Sequence, residues 1–200
     1  MIVLADSGAM AEIASTDAAL MARVVARDPV AFRSIVDAHA IALRRIGYRM
    51  LGDATEAEDV AQEAFLRLWN HAARWRATGS GIGAWLNRVV MNLCLDRLRR
   101  RRFTSDEAVP ERADESPNAD AVMEDDQERA AIVKCINALA ERQRAAIVLT
   151  YYEGLSNIMA ADALDMNIKA FESLLHRARQ TLRELLSKAG IVDPPESRIA

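Results

Sequence analysis

One segment limits what this chain can fold into. Residues 103–128 hold ten acids against the single Arg112, and the stretch from Phe103 to Met123 adds Pro110 and Pro117 without any apolar period. Such a stretch cannot bury enough apolar surface to offset the entropy lost on ordering. It predicts a flexible acidic linker over 103–123, so the 200 residues must divide into two blocks, each with its own core. Composition then sets the class of both blocks. Hydrophobic residues make up 51% of the chain but aromatics only 5%, and Gly and Pro are few, which favours an all-α fold over a sandwich or barrel.

The linker also exposes a pattern that the net charge of −3 conceals. Residues 97–102 read Arg-Leu-Arg-Arg-Arg-Arg, the acids follow, and the balance turns basic again from Lys169 to Lys188. Local charge governs association more than the total does, so a basic–acidic–basic layout points toward a polyanionic partner. Cys94 and Cys135 share no metal-binding or disulfide spacing, which fits reduced thiols in a cytoplasmic protein. The N-terminus lacks the basic lead and apolar run of a signal peptide, and no stretch approaches a membrane span.

Helical periods organise the rest. Residues 1–17 are small and weakly patterned and read as a frayed N-terminal extension. A first block covers 18–102. Asp28-Pro29 is a helix start, followed by Val30, Phe32, Ile35, Val36, Leu43, Ile46 and Leu51 at helical spacing, with Gly52-Asp53 as the stop. The next helix opens at Thr55 or Glu56 and places Val60, Ala61, Phe65 and Leu68 on one side, with acids on the other. Three glycines between Trp75 and Trp85 mark a loop, and a long helix runs from about Ile82 to Arg102. A second block covers 124–190, and 191–200 form a tail. Ser156 and Asn167 cap two successive helices with helix-turn-helix spacing.

The chemistry these patterns allow is recognition rather than catalysis. On the last helix, Lys169, Glu172, Ser173, His176 and Arg177 point outward together, as residues facing a major groove would, and Arg179 and Arg183 could reach phosphates. A plain helix pair with a solvated charged face has the same spacing. In the first block Trp75, Trp85, Asn87, Arg88 and Asn92 surround the glycine loop, a composition that suits bases splayed out of a duplex. Tryptophans at helical spacing also serve as core, Trp85 in particular, and arginines at a helix end also suit its dipole. His39, His71 and His176 are scattered, there is no nucleophile–base pattern or phosphate loop, and nothing implies a cofactor or metal.

Three ordered groups of residues resemble one family. Ala57-Glu58-Asp59-Val60-Ala61-Gln62-Glu63-Ala64-Phe65-Leu66-Arg67-Leu68-Trp69 is similar to the polymerase-binding helix of extracytoplasmic-function (ECF) sigma factors of bacterial RNA polymerase. Trp85-Leu86-Asn87-Arg88-Val89-Val90-Met91-Asn92, with Asp96-Arg97-Leu98-Arg99, resembles their −10 recognition helix. Leu139 to Ala146, Gly154-Leu155-Ser156 and Ser173 to Arg179 resemble their −35 recognition domain.

The resemblance covers roughly residues 18–188 and implies an initiation factor, not an enzyme. Asp59, Gln62, Glu63 and Leu66 would meet a basic coiled coil on the largest subunit of core polymerase. Trp75, Arg76, Ser80, Trp85, Asn87, Arg88, Asn92 and Arg99 would engage the melted −10 strand. Lys169, Ser173, His176, Arg177 and Arg179 would contact the −35 duplex, and the linker would run through polymerase channels. An anti-sigma factor and a role in stress-responsive transcription are further implications.

The helix-turn-helix departs from the family's pattern. Met159-Ala160-Ala161 stands where Glu-Ile-Ala is usual, and Asp165 occupies a turn position where Gly is common. Two alternatives stay open: a stand-alone helix-turn-helix regulator that binds DNA without polymerase, and an interaction protein whose altered motif no longer binds DNA.

Overall fold

The computed structural model describes residues 6–75, 81–104 and 124–192. Within them every regular element is helical. The order is α1 (Asp6–Val25), α2 (Pro29–Leu51), α3 (Ala54–His71), a 3-10 turn (Ala72–Arg74), α4 (Gly81–Thr104), α5 (Glu124–Asn137), α6 (Glu141–Ile147), α7 (Asn157–Ala163) and α8 (Ile168–Lys188). A π-helical stretch, Val148–Tyr152, prolongs α6.

The first block starts where its sequence signals place it. The Asp28 carboxylate accepts from the Val30 and Ala31 amides at 2.8 and 3.3 Å, and Pro29 opens the first turn of α2. Gly52 closes α2 in the left-handed region at φ 70°, its N–H reaching Tyr48 O at 2.8 Å. Asp53 then caps α3 through the Glu56 amide, so α3 opens at Ala54, slightly ahead of the expected Thr55 or Glu56. The α2–α3 hairpin is tight because Gly47 meets Ala57: a Cβ on Gly47 would lie 3.0 Å from Ala57 Cα. Ile35, Leu43, Ile46, Val60, Leu68, Leu86 and Val90 fill the space between α2, α3 and α4, each at most 1% exposed.

Two expectations need correction. The chain N-terminal to residue 18 is not a frayed lead among the described residues, because α1 begins at Asp6 and carries Met21 and Val24 into the core. Small residues such as Ala have high helix propensity, and tertiary packing of α1 supplies what its weak period lacks. Phe103 and Thr104 belong to α4, not to the linker. The remainder of the expected linker, 105–123, lies outside the described residues, as do 1–5, 76–80 and 193–200.

In the second block Ser156 caps α7 through the Met159 amide at 3.3 Å, and Asn167 caps α8 through Ala170 at 2.8 Å. Asp165 holds the turn between them at φ 53°, the left-handed geometry that Asp tolerates better than most residues. Ala160 and Phe171 are both fully buried, so the bulk missing at residue 160 leaves a closed core around a large aromatic.

The two blocks touch. Helix α4 packs against α7, and α2 against the π-helical stretch. Arg144 donates to Met50 O at 2.7 Å, and Arg49 pairs with Glu153 at 2.8 Å while stacking on the Tyr152 ring at 4.4 Å.

Candidate functional site

Helix α3 presents one clean face. Its buried side carries Val60, Ala61, Ala64, Phe65 and Leu68, so positions 59, 62 and 66 are turned outward by the helical period. Asp59 and Gln62 are exposed, Leu66 is 55% exposed, and Glu63 is half-buried beside them. The face thus sets an exposed leucine among acidic side chains. The charges on it are only lightly committed. Glu63 pairs with Arg67 at 2.8 Å and Gln62 donates to Glu58 at 3.3 Å, both exposed i,i+4 contacts of the kind that contribute about 0.5 kcal/mol.

The residues around the glycine loop fall into two groups. Trp75 and Trp85 are partly buried and pack on the core, so each combines a structural side with an accessible one. Asn87 is half-buried and Asn92 exposed on α4. Arg76 and Ser80 lie outside the described residues. Arg88 does not point to open solvent: its guanidinium lies 2.5 Å from Asp165 and 3.6 Å from Asp162, on the helix-turn-helix. Arg99 is exposed and pairs with Asp96 at 2.6 Å.

The arginine run divides in the same way. Arg97 donates to Glu56 O at 2.7 Å, and Arg101 reaches Leu51 O at 3.3 Å and forms an ion pair with Glu56. These two fasten α4 to the α2–α3 corner. A helix C-terminus that crosses another helix's end finds carbonyl acceptors there, so part of the run is spent on packing. Arg99, Arg100 and Arg102 remain on the accessible side.

On α8 the sequence grouping becomes a surface. Lys169, Glu172, Ser173, His176 and Arg177 are all exposed and line one shallow depression. Arg179 is exposed but lies outside it, over the Tyr151 ring at 5.9 Å, beside an apolar groove formed by Ile132, Ile136, Ile147 and Leu182. This face of α8 is turned outward because Phe171, Leu174, Leu175 and Ala178 anchor the other side.

Several residues that matter to this arrangement carry no pattern in the sequence. Glu153 has a side chain only 9% exposed; burial raises the pKa of its carboxyl above the ordinary value, and Arg49 and then Arg45 draw it back. Asp17 of α1 accepts from the Ile82 amide at 2.7 Å, across 65 residues of chain. Burial also pushes the Cys94 thiol up to about 12, which leaves it inert as a nucleophile.

Comparison with known proteins agrees with this geometry. Residues 35–104 match the Sigma-70 region 2 family and residues 129–182 the Sigma-70 region 4 family, which defines a sigma factor of the two-domain type. The ECF RNA polymerase sigma factor SigL of Mycobacterium tuberculosis is 33% identical over 180 residues, covering 86% of this chain and 99% of that protein. SigE of Mycolicibacterium smegmatis is 35% identical over 158 residues, covering 77% of this chain and 61% of its own length. Among solved structures, CnrH in complex with the cytosolic domain of CnrY superimposes with a TM-score of 0.65 at 27% identity, covering 86% of this chain and 97% of that one. The sigma factor RpoE of Bartonella quintana, in complex with the anti-sigma factor NepR, gives 0.63 at 26% identity, covering 82% and 98%. The chain belongs to the ECF sigma factors of RNA polymerase, initiation factors that direct transcription from promoters.

Proposed function

We propose a division of labour within this sigma factor. Asp59, Gln62, Glu63 and Leu66 dock on a basic coiled coil of the largest polymerase subunit. Trp75, Arg76, Ser80, Trp85, Asn87, Arg88, Asn92 and Arg99 serve the melted −10 strand. Lys169, Ser173, His176, Arg177 and Arg179 serve the −35 duplex. The observation that carries the reading is the α3 face, where a 55% exposed leucine sits among acids on a helix whose opposite side is fully packed. Electrostatic matching with a basic partner would fix orientation and speed encounter, while Leu66 supplies apolar area.

Capture of unpaired bases by α4 would favour melted over duplex DNA, so binding energy itself drives promoter opening. The closed arrangement cannot do this while spanning a promoter. Elements about 25 base pairs apart are separated by roughly 85 Å of duplex, whereas α4 here touches α7. Engagement therefore requires the two domains to part, freeing Arg88 from Asp162 and Asp165. The chain between Thr104 and Glu124 could extend to roughly 70 Å, which together with the domains' own width covers that separation.

Both solved relatives above are complexes with protein partners, one of them an anti-sigma factor, and this supports control of the present chain by an anti-sigma factor.

The deciding experiment is core binding followed by transcription in vitro. Asp59→Lys with Glu63→Lys should weaken core binding at least tenfold, consistent with like charges placed at an interface costing more than a kilocalorie. Unchanged core binding would remove the α3 face from the proposal. Protein that shifts duplex DNA unaided but never stimulates core polymerase would favour the stand-alone regulator.

A further inference from the structure

Helix α1 lies outside the residues matched to either sigma family, yet it is placed at the −10 side of the molecule. It packs against both the 3-10 turn Ala72–Arg74 and α4, the two elements that flank residues 76–80. One specific bond joins it there: Asp17 Oδ2 accepts from the Ile82 amide at 2.7 Å. Ile82 is in the first turn of α4, where backbone amides have no acceptor within their own helix, and it is 1% exposed, so water does not readily replace the carboxylate. Asp17 thus does for α4 what a capping side chain normally does from the preceding residue.

A second side chain closes on the same turn. The His39 ring of α2 lies against Gly83, where a Cβ would stand 3.1 Å from Cε1. Gly81, immediately before, has φ 70°, a left-handed geometry in which side-chain-bearing residues are strained. The first turn of α4 is therefore held by two sequence-distant side chains, Asp17 and His39, beside a glycine of its own in left-handed geometry.

Resting on the −10 reading above, we infer that Asp17 is a positioning residue for promoter opening: by capping α4 from α1 it fixes the turn from which Trp85, Asn87, Arg88 and Asn92 are presented. It touches no base itself. Helix α1 is then a brace for base capture rather than an N-terminal extension.

The test compares Asp17→Ala, Asp17→Asn and Asn92→Ala in full-length protein assembled with core polymerase. The probe is a fork-junction DNA whose single-stranded arm is taken from sequences that the wild-type holoenzyme retains out of a random pool. Asn can cap as well as Asp, so a capping role predicts that Asp17→Ala weakens fork-junction binding about fivefold while Asp17→Asn restores most of it. Core affinity should be unchanged in both. Hydrogen exchange at the Ile82 amide reads the cap directly and should accelerate in Asp17→Ala only.

Wild-type behaviour of Asp17→Ala, or equal loss in the Asn variant, overturns the proposal, as does a parallel loss of core affinity. If Asn92→Ala also leaves fork-junction binding unchanged, the −10 reading fails instead, and slow Ile82 exchange in Asp17→Ala would then overturn the cap separately.

Discussion

His39 and Gly47 show how single positions set the first domain. Burial lowers the His39 pKa, and the nearby Asp17 charge only partly opposes this. The folded protein therefore binds the proton less readily than the unfolded chain, whose imidazole titrates at about 6.5. Stability is full above that value, declines as pH falls from it toward the lower folded pKa, and levels off below. Urea midpoints across that window should fall with pH in the wild type and fall less steeply in His39→Gln; identical slopes would show that other groups carry the dependence. At Gly47 the constraint is steric. A Cβ would stand 3.0 Å from the Ala57 backbone, which has nothing flexible to yield. Helix propensity favours Ala over Gly by about 1 kcal/mol, while forcing apart packed backbones costs about 1–3 kcal/mol. Gly47→Ala should therefore destabilise the protein by about 1 kcal/mol, measured by denaturant unfolding, and any gain would mean that α2 and α3 separate easily.

Among the elements, α8 carries the clearest quantitative expectation. If Lys169 and Arg177 neutralise phosphates, the logarithmic salt slope for a −35 duplex should become shallower by about one for each residue replaced by Ala. An unchanged slope would leave the depression on α8 without a DNA role. The caps are a separate matter, because they act on folding. Asn167→Ala removes a 2.8 Å bond at the start of α8 and should cost about 1 kcal/mol, visible as a lower melting temperature with the salt slope intact. The helix-turn-helix signature was legible at this scale from Ser156 and Asn167, since capping is local chemistry. The course of α1 was not, because its residues form a helix on propensity and docking rather than on a strong apolar period.

For the whole molecule the question is what keeps the two domains together. Arg88 with Asp162 and Asp165 is an exposed set, and such pairs contribute about 0–1 kcal/mol each. Arg49 with Glu153 is more enclosed, and removing Arg49 would strand a carboxylate already disfavoured by burial. Arg49→Ala should therefore open the molecule more than Asp162→Asn with Asp165→Asn does. Small-angle scattering of the free protein should give the larger radius for Arg49→Ala, and the reverse order would place the closure elsewhere.

What the sequence determined alone is what local rules can encode. The acidic linker, the all-helical class, the caps at Asp28, Ser156 and Asn167, and the outward sets on α3 and α8 all follow from composition and a 3.6-residue period. Tertiary structure decided what depends on distant residues meeting. It used Arg97 and Arg101 as fasteners, turned Arg88 onto the helix-turn-helix, and brought Asp17 to the Ile82 amide. An arginine's partner or an orphan amide's acceptor is chosen by packing, and no periodicity in the chain records that choice.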